Sequence, residues 1–110
     1  MWYDADQRMR KAVERFEEGD LEAARAMLRS LDRRGVVSPR IDLYLGHCHL
    51  EQDRPEAALA RYRRAVALNP EAAAPWIGLG LVHGRLGQLD RACEAFEQAT
   101  GGGLAEGRGV

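Results

Sequence analysis

The chain has 110 residues, of which 45% are apolar and 30% charged, and its net charge is −1 at pH 7. This length and composition predict one folded domain and exclude an intrinsically disordered chain. A net charge near zero provides no long-range attraction to nucleic acid or to an anionic membrane, so neither is expected as a partner. No apolar run is long enough to span a membrane, and the N-terminus has no apolar export signal. A cytoplasmic location is therefore expected, unless an export signal has been removed.

Apolar spacing and helix-ending residues predict six helices. In chain order they lie at about 4–17, 20–33, 39–52, 55–68, 73–86 and 89–100. Gly19 and Asp20 are typical of a helix end followed by the cap of the next helix. Ser38 before Pro39 is a second cap. Residues 101–110 contain five glycines and are expected to form a flexible tail.

A 34-residue period relates the second and third parts of the chain. The aligned pairs are Leu45 and Leu79, Gly46 and Gly80, His49 and His83, Ala58 and Ala92, Tyr62 and Phe96, and Ala65 and Ala99. The same shift reaches the N-terminal part more weakly. Small and large apolar residues at such spacing are what packed helical hairpins require.

These residues resemble the tetratricopeptide repeat family, whose signature is W-x2-L-G-x2-Y, then A-x3-F, then P. The third repeat has Trp76, Leu79, Gly80 and His83, followed by Ala92 and Phe96, and the second has Asp42, Leu45, Gly46 and His49, followed by Ala58, Tyr62 and Pro70. The resemblance implies an all-α, right-handed α-solenoid of three stacked helix–turn–helix hairpins. The repeats would be about 5–38, 39–72 and 73–100. The first repeat departs from the signature, with Arg8 and Lys11 at the tryptophan and leucine positions.

The resemblance also implies a non-catalytic scaffold or adaptor that binds a protein or peptide. The partner would lie in a concave groove lined by the first helix of each pair. A mostly apolar groove favours an apolar or amphipathic segment. The expected groove residues are Met9, Val13, Arg40, Leu43, Tyr44, His47, Ile77, Leu81 and Arg85. The alternative for several of them is simple packing between hairpins.

Two further interpretations stay open. No helix is predicted after residue 100, so the last hairpin is expected to expose Cys93 and Phe96. Together with the aromatic N-terminus, Trp2 and Tyr3, they would form an assembly surface of a homo-oligomer. Alternatively, the chain is an adaptor or co-chaperone domain of a larger complex.

No catalytic residue, cofactor or metal site is predicted, and the chain is not expected to be an enzyme. The run His47-Cys48-His49 is the one candidate for a metal site, but neighbouring residues on a helix point in different directions. His49 and His83 occupy the tyrosine position of the repeat and are expected to pack. Cys48 and Cys93 are expected to be small core or interface residues rather than a disulfide.

The alternative of nucleic-acid binding depends on a group of arginines in the fourth predicted helix and just before it. They are Arg54, Arg61, Arg63 and Arg64. Neighbouring glutamates, the negative net charge and the lack of stacking aromatic residues argue against this function. The acidic residues are expected to lie on exposed helix faces.

Overall fold

The structure is a computed structural model that describes residues 2–101, with side chains from Asp4 onward. Six α-helices and no strand occur in this part of the chain. They are α1 (Trp2–Glu17), α2 (Leu21–Arg33), α3 (Pro39–Glu51), α4 (Pro55–Leu68), α5 (Ala73–Arg85) and α6 (Leu89–Ala99). The all-α prediction is confirmed, and every predicted boundary lies within two residues of the observed one. The predicted tail lies outside the described residues, except for Gly101.

The helices form three antiparallel pairs, α1 with α2, α3 with α4 and α5 with α6, which stack in chain order. The first helices of successive pairs, α1, α3 and α5, contact one another. Among the described residues, α2 makes no close backbone approach to α4, and α4 makes none to α6. The stack therefore curves, with the first helix of each pair on its inner, concave side.

Turns at the same place in each hairpin follow the 34-residue period. Gly19, Asp53 and Gly87 have φ angles of 86°, 60° and 76°, a left-handed conformation that glycine adopts without a Cβ penalty. The predicted caps are also present. The Asp20 carboxylate accepts from the amide of Ala23 at 3.2 Å, and the Ser38 hydroxyl accepts from the amide of Arg40 at 3.2 Å.

Two buried clusters hold the hairpins together. The first joins α1, α2 and α3, and the second joins α3, α4, α5 and α6. Members of the first are Met9, Ala12, Ala24, Leu28, Leu31, Ile41, Leu45 and Cys48, and members of the second are Leu50, Ala58, Tyr62, Leu79, Val82 and Ala95. Because both clusters take residues from neighbouring hairpins, no hairpin buries its apolar surface alone.

Tyr62 on α4 packs between two glycines of different hairpins. A Cβ added to Gly46 on α3 would lie 2.7 Å from its ring, and a Cβ added to Gly78 on α5 would lie 2.5 Å away. Phe96 on α6 packs in the same way against Gly80. Since any larger residue would collide with the rings, these three glycines allow α3 and α5 to lie close to the aromatic residues of α4 and α6.

Asp42 corrects the expectation that the acidic residues lie on exposed faces. It is only 2% exposed. Arg61 donates to its carboxylate at 3.0 Å and also to Asp32 on α2 at 3.3 Å, while Arg64 lies 3.5 Å away. Two of the arginines considered for nucleic-acid binding are thus used in an ion-pair network that links α2, α3 and α4.

Candidate binding groove

Equivalent residues recur every 34 positions on α1, α3 and α5, the inner helices of the stack. One central row is Met9, Leu43 and Ile77, and the next is Val13, His47 and Leu81, each spaced by 34 residues. Seven of the nine predicted groove residues lie in these rows or beside them on the same helices, and Arg40 and Arg85 lie toward the helix ends. The helical repeat places all nine on the inner helices.

Accessibility of the central rows increases from the first hairpin to the third. Met9 is 7% exposed and belongs to the first buried cluster, so it offers almost no surface to a partner. Leu43 is half-buried against the second cluster. Ile77 and Leu81, one turn apart on α5, are 44% and 48% exposed. The accessible apolar surface of the groove therefore lies at its third-hairpin end.

Charged side chains lie at both edges of the groove. One edge carries Asp6 and Arg40, and the other carries Glu17, Glu51 and Arg85, all of them exposed. Arg85 is anchored, because its guanidinium donates to the backbone carbonyl of Leu50 at 3.2 Å. An apolar strip between charged edges suits an amphipathic segment better than a purely apolar one.

Sequence reasoning missed the charges that α1 contributes. A shallow surface pocket brings Met9, Val13 and Arg40 together, but the rest of its lining is charged. Those residues are Asp6, Arg10, Glu14 and Glu17. The 34-residue shift is the signal that locates them, because Asp6 is equivalent to Arg40 and Glu17 to Glu51.

His47 occupies the middle of the groove within an aromatic cluster. Its ring centroid lies 5.6 Å from that of Phe16, 5.4 Å from that of Tyr44 and 5.5 Å from that of Tyr62. Its Nδ1 lies 2.6 Å from the Tyr62 hydroxyl. Burial lowers the pKa of His47 below its usual value, while the carboxylate of Glu51 acts in the opposite direction. The fold thus favours a neutral imidazole at the centre of the groove.

The three side chains of the run His47-Cys48-His49 lie in different surroundings. His47 bonds Tyr62, whereas Cys48 is fully buried in the first cluster. Burial, followed by the charges of nearby arginines that include Arg25, lowers the pKa of His49. Within residues 2–101, no group of three or more His, Cys, Asp or Glu side chains is arranged to hold a metal ion.

The residues proposed for assembly fall at the two ends of the stack. Cys93 is exposed and Phe96 is 38% exposed, both on α6. Trp2 and Tyr3 lie in the first turn of α1, but their side chains are outside the described part of the structure. The two cysteines are free thiols.

A sequence model of the tetratricopeptide repeat matches residues 9–60 and again residues 45–106. The two matches overlap and together cover most of the chain. The chain belongs to the tetratricopeptide repeat family.

Two curated proteins are related to part of this tetratricopeptide repeat chain. It is 39% identical over 56 residues to the general transcriptional corepressor ssn6 of Schizosaccharomyces pombe, a match that covers 49% of this chain and 5% of that protein. It is also 39% identical over 54 residues to the general transcriptional corepressor trfA of Dictyostelium discoideum, covering 47% of this chain and 4% of that protein. Each match spans only a small part of the relative's length.

Several solved structures have a similar fold. PcrH in complex with the chaperone binding region of PopD gives a TM-score of 0.85 at 21% identity, covering 90% of this chain and 74% of PcrH. The complex of PcrH with the chaperone binding region of PopB gives 0.80 at 22% identity, with 86% and 76% covered. MamA gives 0.78 at 26% identity, with 86% and 55% covered. These similarities support a helical-repeat solenoid.

Among the described helices, none combines the length and the apolar character that a membrane span requires.

Proposed function

We propose that this tetratricopeptide repeat protein is a non-catalytic scaffold that binds an amphipathic segment of another protein in its concave groove. The exposure of Ile77 and Leu81 on the inner side of α5 is the observation that carries the proposal. Single exposed apolar residues are ordinary on a protein surface. These two are one turn apart, beside the half-buried Leu43 and between charged edges.

The proposed segment places apolar side chains on Ile77 and Leu81 and runs across α3 toward α1. Its polar side chains meet the charged edges of the groove. Tyr44 and His47 lie in its path on α3, where their aromatic neighbours hold both rings in position. Preformed side chains reduce the entropy lost on binding, so this part of the groove favours binding without large rearrangement.

Similarity to PcrH supports this function without establishing it. PcrH binds the chaperone binding regions of PopB and PopD, so this arrangement of helices accommodates a bound protein segment. At 21–22% identity the likeness shows a shared fold, and fold does not determine function. The segment that this chain binds is defined here by its chemistry, which is an apolar stripe with charged flanks.

Selection from a displayed library of random short peptides, followed by affinity measurement, tests the proposal. The variant Ile77→Glu/Leu81→Glu places two carboxylates on the apolar strip. We expect it to lower the affinity for the selected peptides by about a hundredfold, or ~3 kcal/mol. Both side chains are exposed, so the helices should form normally, which circular dichroism verifies. Leu43 is a poorer choice for such a variant because it also packs in the core.

Val37→Glu is the matched control. Val37 is 65% exposed and lies in the loop between α2 and α3, off the helix that carries Ile77 and Leu81. Val37→Glu adds a carboxylate without changing the apolar strip and should leave peptide affinity unchanged. Selected peptides that bind the Ile77→Glu/Leu81→Glu variant as tightly as the unmodified protein would contradict the groove proposal.

A further inference from the structure

The free end of the third hairpin corresponds to a surface that is buried in the second hairpin. On the second hairpin this surface packs against the third, where Leu50 is 7% and Tyr62 0% exposed, and Leu43 and Leu59 are half-buried. Adding 34 to these numbers gives Gly84, Phe96, Ile77 and Cys93, in that order, and all four are exposed. Gly84, Cys93 and Phe96 are thus counterparts of interface residues, and Leu89, one turn before Cys93 on α6, is also exposed. These four residues are called the end face.

No contact within the described chain requires a glycine at position 84. Gly84 lies in the last turn of α5, one residue before the helix ends at Arg85, and glycine has a lower helix propensity than alanine. Gly46, Gly78 and Gly80 are each required by an aromatic ring, whereas a Cβ on Gly84 would meet nothing within 4 Å. A helical glycine with open space above it marks a position that something outside the hairpin can approach closely.

The ring of Phe96 is covered less completely than the ring at the equivalent position of the second hairpin. Its equivalent, Tyr62, is covered by Gly46 of its own hairpin and by Gly78 of the next. Among the described residues, Phe96 packs only against Gly80 of its own hairpin, and 38% of the residue is exposed. Within residues 2–101, the end face therefore contains an aromatic ring with one glycine contact fewer than Tyr62, and a glycine against which no ring packs.

We propose that the end face is a homodimer interface in which the Phe96 ring of each copy packs over Gly84 of the other. A two-fold axis makes both contacts at once, since an isologous interface pairs residue i with j and residue j with i. Leu89, which is 68% exposed, and Cys93 extend the apolar contact on α6. A second copy stacked like a fourth hairpin would pack less well. In the internal interface Leu50 fills the contact between hairpins, and its equivalent on the end face is Gly84, which has no side chain to do so.

The opposite end of the stack disfavours head-to-tail growth. Where α3 presents Ile41, Tyr44 and Cys48 to the preceding hairpin, α1 has Gln7, Arg10 and Glu14, all exposed. Stacking α1 of one copy on the end face of another would bury these polar groups against Leu89 and Phe96, at a desolvation cost. A closed dimer is therefore favoured over an open filament.

Light scattering of the full chain over a wide concentration range tests the dimer. We expect the unmodified protein to change from monomer to dimer as its concentration rises. Gly84→Leu places a side chain where the Phe96 ring of the other copy would pack, and it should weaken dimerisation by about tenfold or more. It also replaces glycine by a good helix former, so loss of the dimer could not be ascribed to unfolding. Phe96→Ser removes the ring and should have the same effect, whereas Val37→Ser, far from the end face, should not.

Thiol modification provides a second measurement. Cys93 should react with a maleimide more slowly as concentration rises in the unmodified protein, and at a constant rate in Gly84→Leu. Cys48 is the internal reference for folding, because it is 0% exposed and burial raises its pKa to about 11, so it should react only after unfolding. A protein that is monomeric at every concentration, with a constant Cys93 rate, overturns the proposal. A dimer that persists in both Gly84→Leu and Phe96→Ser overturns it as well.

Discussion

The imidazole Nδ1 of His47 and the hydroxyl of Tyr62 lie 2.6 Å apart, and this contact joins the groove to the packing between hairpins. The hydroxyl donates when the neutral imidazole carries its proton on Nε2. Burial raises the pKa of Tyr62, so the hydroxyl stays protonated. Because the same ring is held between Gly46 and Gly78, the residue that orients His47 also sets the distance between α3 and α5.

Stability should decrease as the pH falls below about 6.5. Burial lowers the pKa of His47 and of His49 in the folded chain, while in the unfolded chain both groups take up a proton near the ordinary value. The unfolded state therefore binds more protons below that value. The stability that the neutral imidazoles contribute is therefore fully present above the ordinary histidine pKa and is lost as the pH falls through the lowered pKa values of the folded chain.

Urea denaturation between pH 5 and 8 measures this effect in a range where most carboxylates stay charged. The charged groups acting on the two rings are Glu51 for His47, and Arg25, Arg29, Arg54 and Arg61 for His49. The variant His47→Gln/His49→Gln should have a smaller dependence on pH than the unmodified protein. An unchanged dependence in this variant would show that other groups cause it.

Glycine-to-alanine changes within α5 should have opposite effects on stability. At Gly78 the new methyl would lie 2.5 Å from the Tyr62 ring, and overpacking of this kind costs about 1–3 kcal/mol. At Gly84, in the last turn of α5, it would meet nothing within 4 Å, so the gain in helix propensity should stabilise the monomer by about 0.5 kcal/mol. Urea denaturation at a low protein concentration, where the chain is monomeric, compares the two. Equal effects would contradict the packing of Tyr62 against Gly78.

Among the charged residues that the structure describes, Asp42 should be the one whose substitution lowers stability most. Asp42→Ala removes the carboxylate that Arg61 and Arg64 share, and we expect a loss of about 2–3 kcal/mol because the half-buried Arg61 then lacks one of its partners. The double variant Asp42→Leu/Arg61→Leu should lose less than the sum of the two single changes. Arg64→Ala, at a half-exposed side chain, should have a much smaller effect. Additive effects of Asp42→Leu and Arg61→Leu would mean that the pair is not coupled.

The sequence by itself determined the six helices, their order and the repeat family. These features follow from local chemistry: caps at Asp20 and Ser38, left-handed turns at Gly19 and Gly87, and small residues at a fixed spacing. Helix boundaries were close to the observed ones because these signals act on neighbouring residues. The period also gave the equivalence of Gly46 with Gly80 and of Tyr62 with Phe96, whereas the packing of each ring against a glycine is a finding of the structure.

Only the tertiary structure decided which of the candidate residues are accessible. Met9, Leu43 and Ile77 occupy equivalent positions, yet Met9 is buried and Ile77 exposed, because exposure depends on the hairpins packed on either side. The same reason explains why the buried Asp42 was missed, since its partners lie on α2 and α4. The open space above Gly84 is likewise visible only in the structure, because it depends on which hairpins lie beside α5. The 34-residue period in the sequence shows which positions are equivalent. Whether an equivalent residue is buried or exposed depends on whether its hairpin lies inside the stack or at one of its ends.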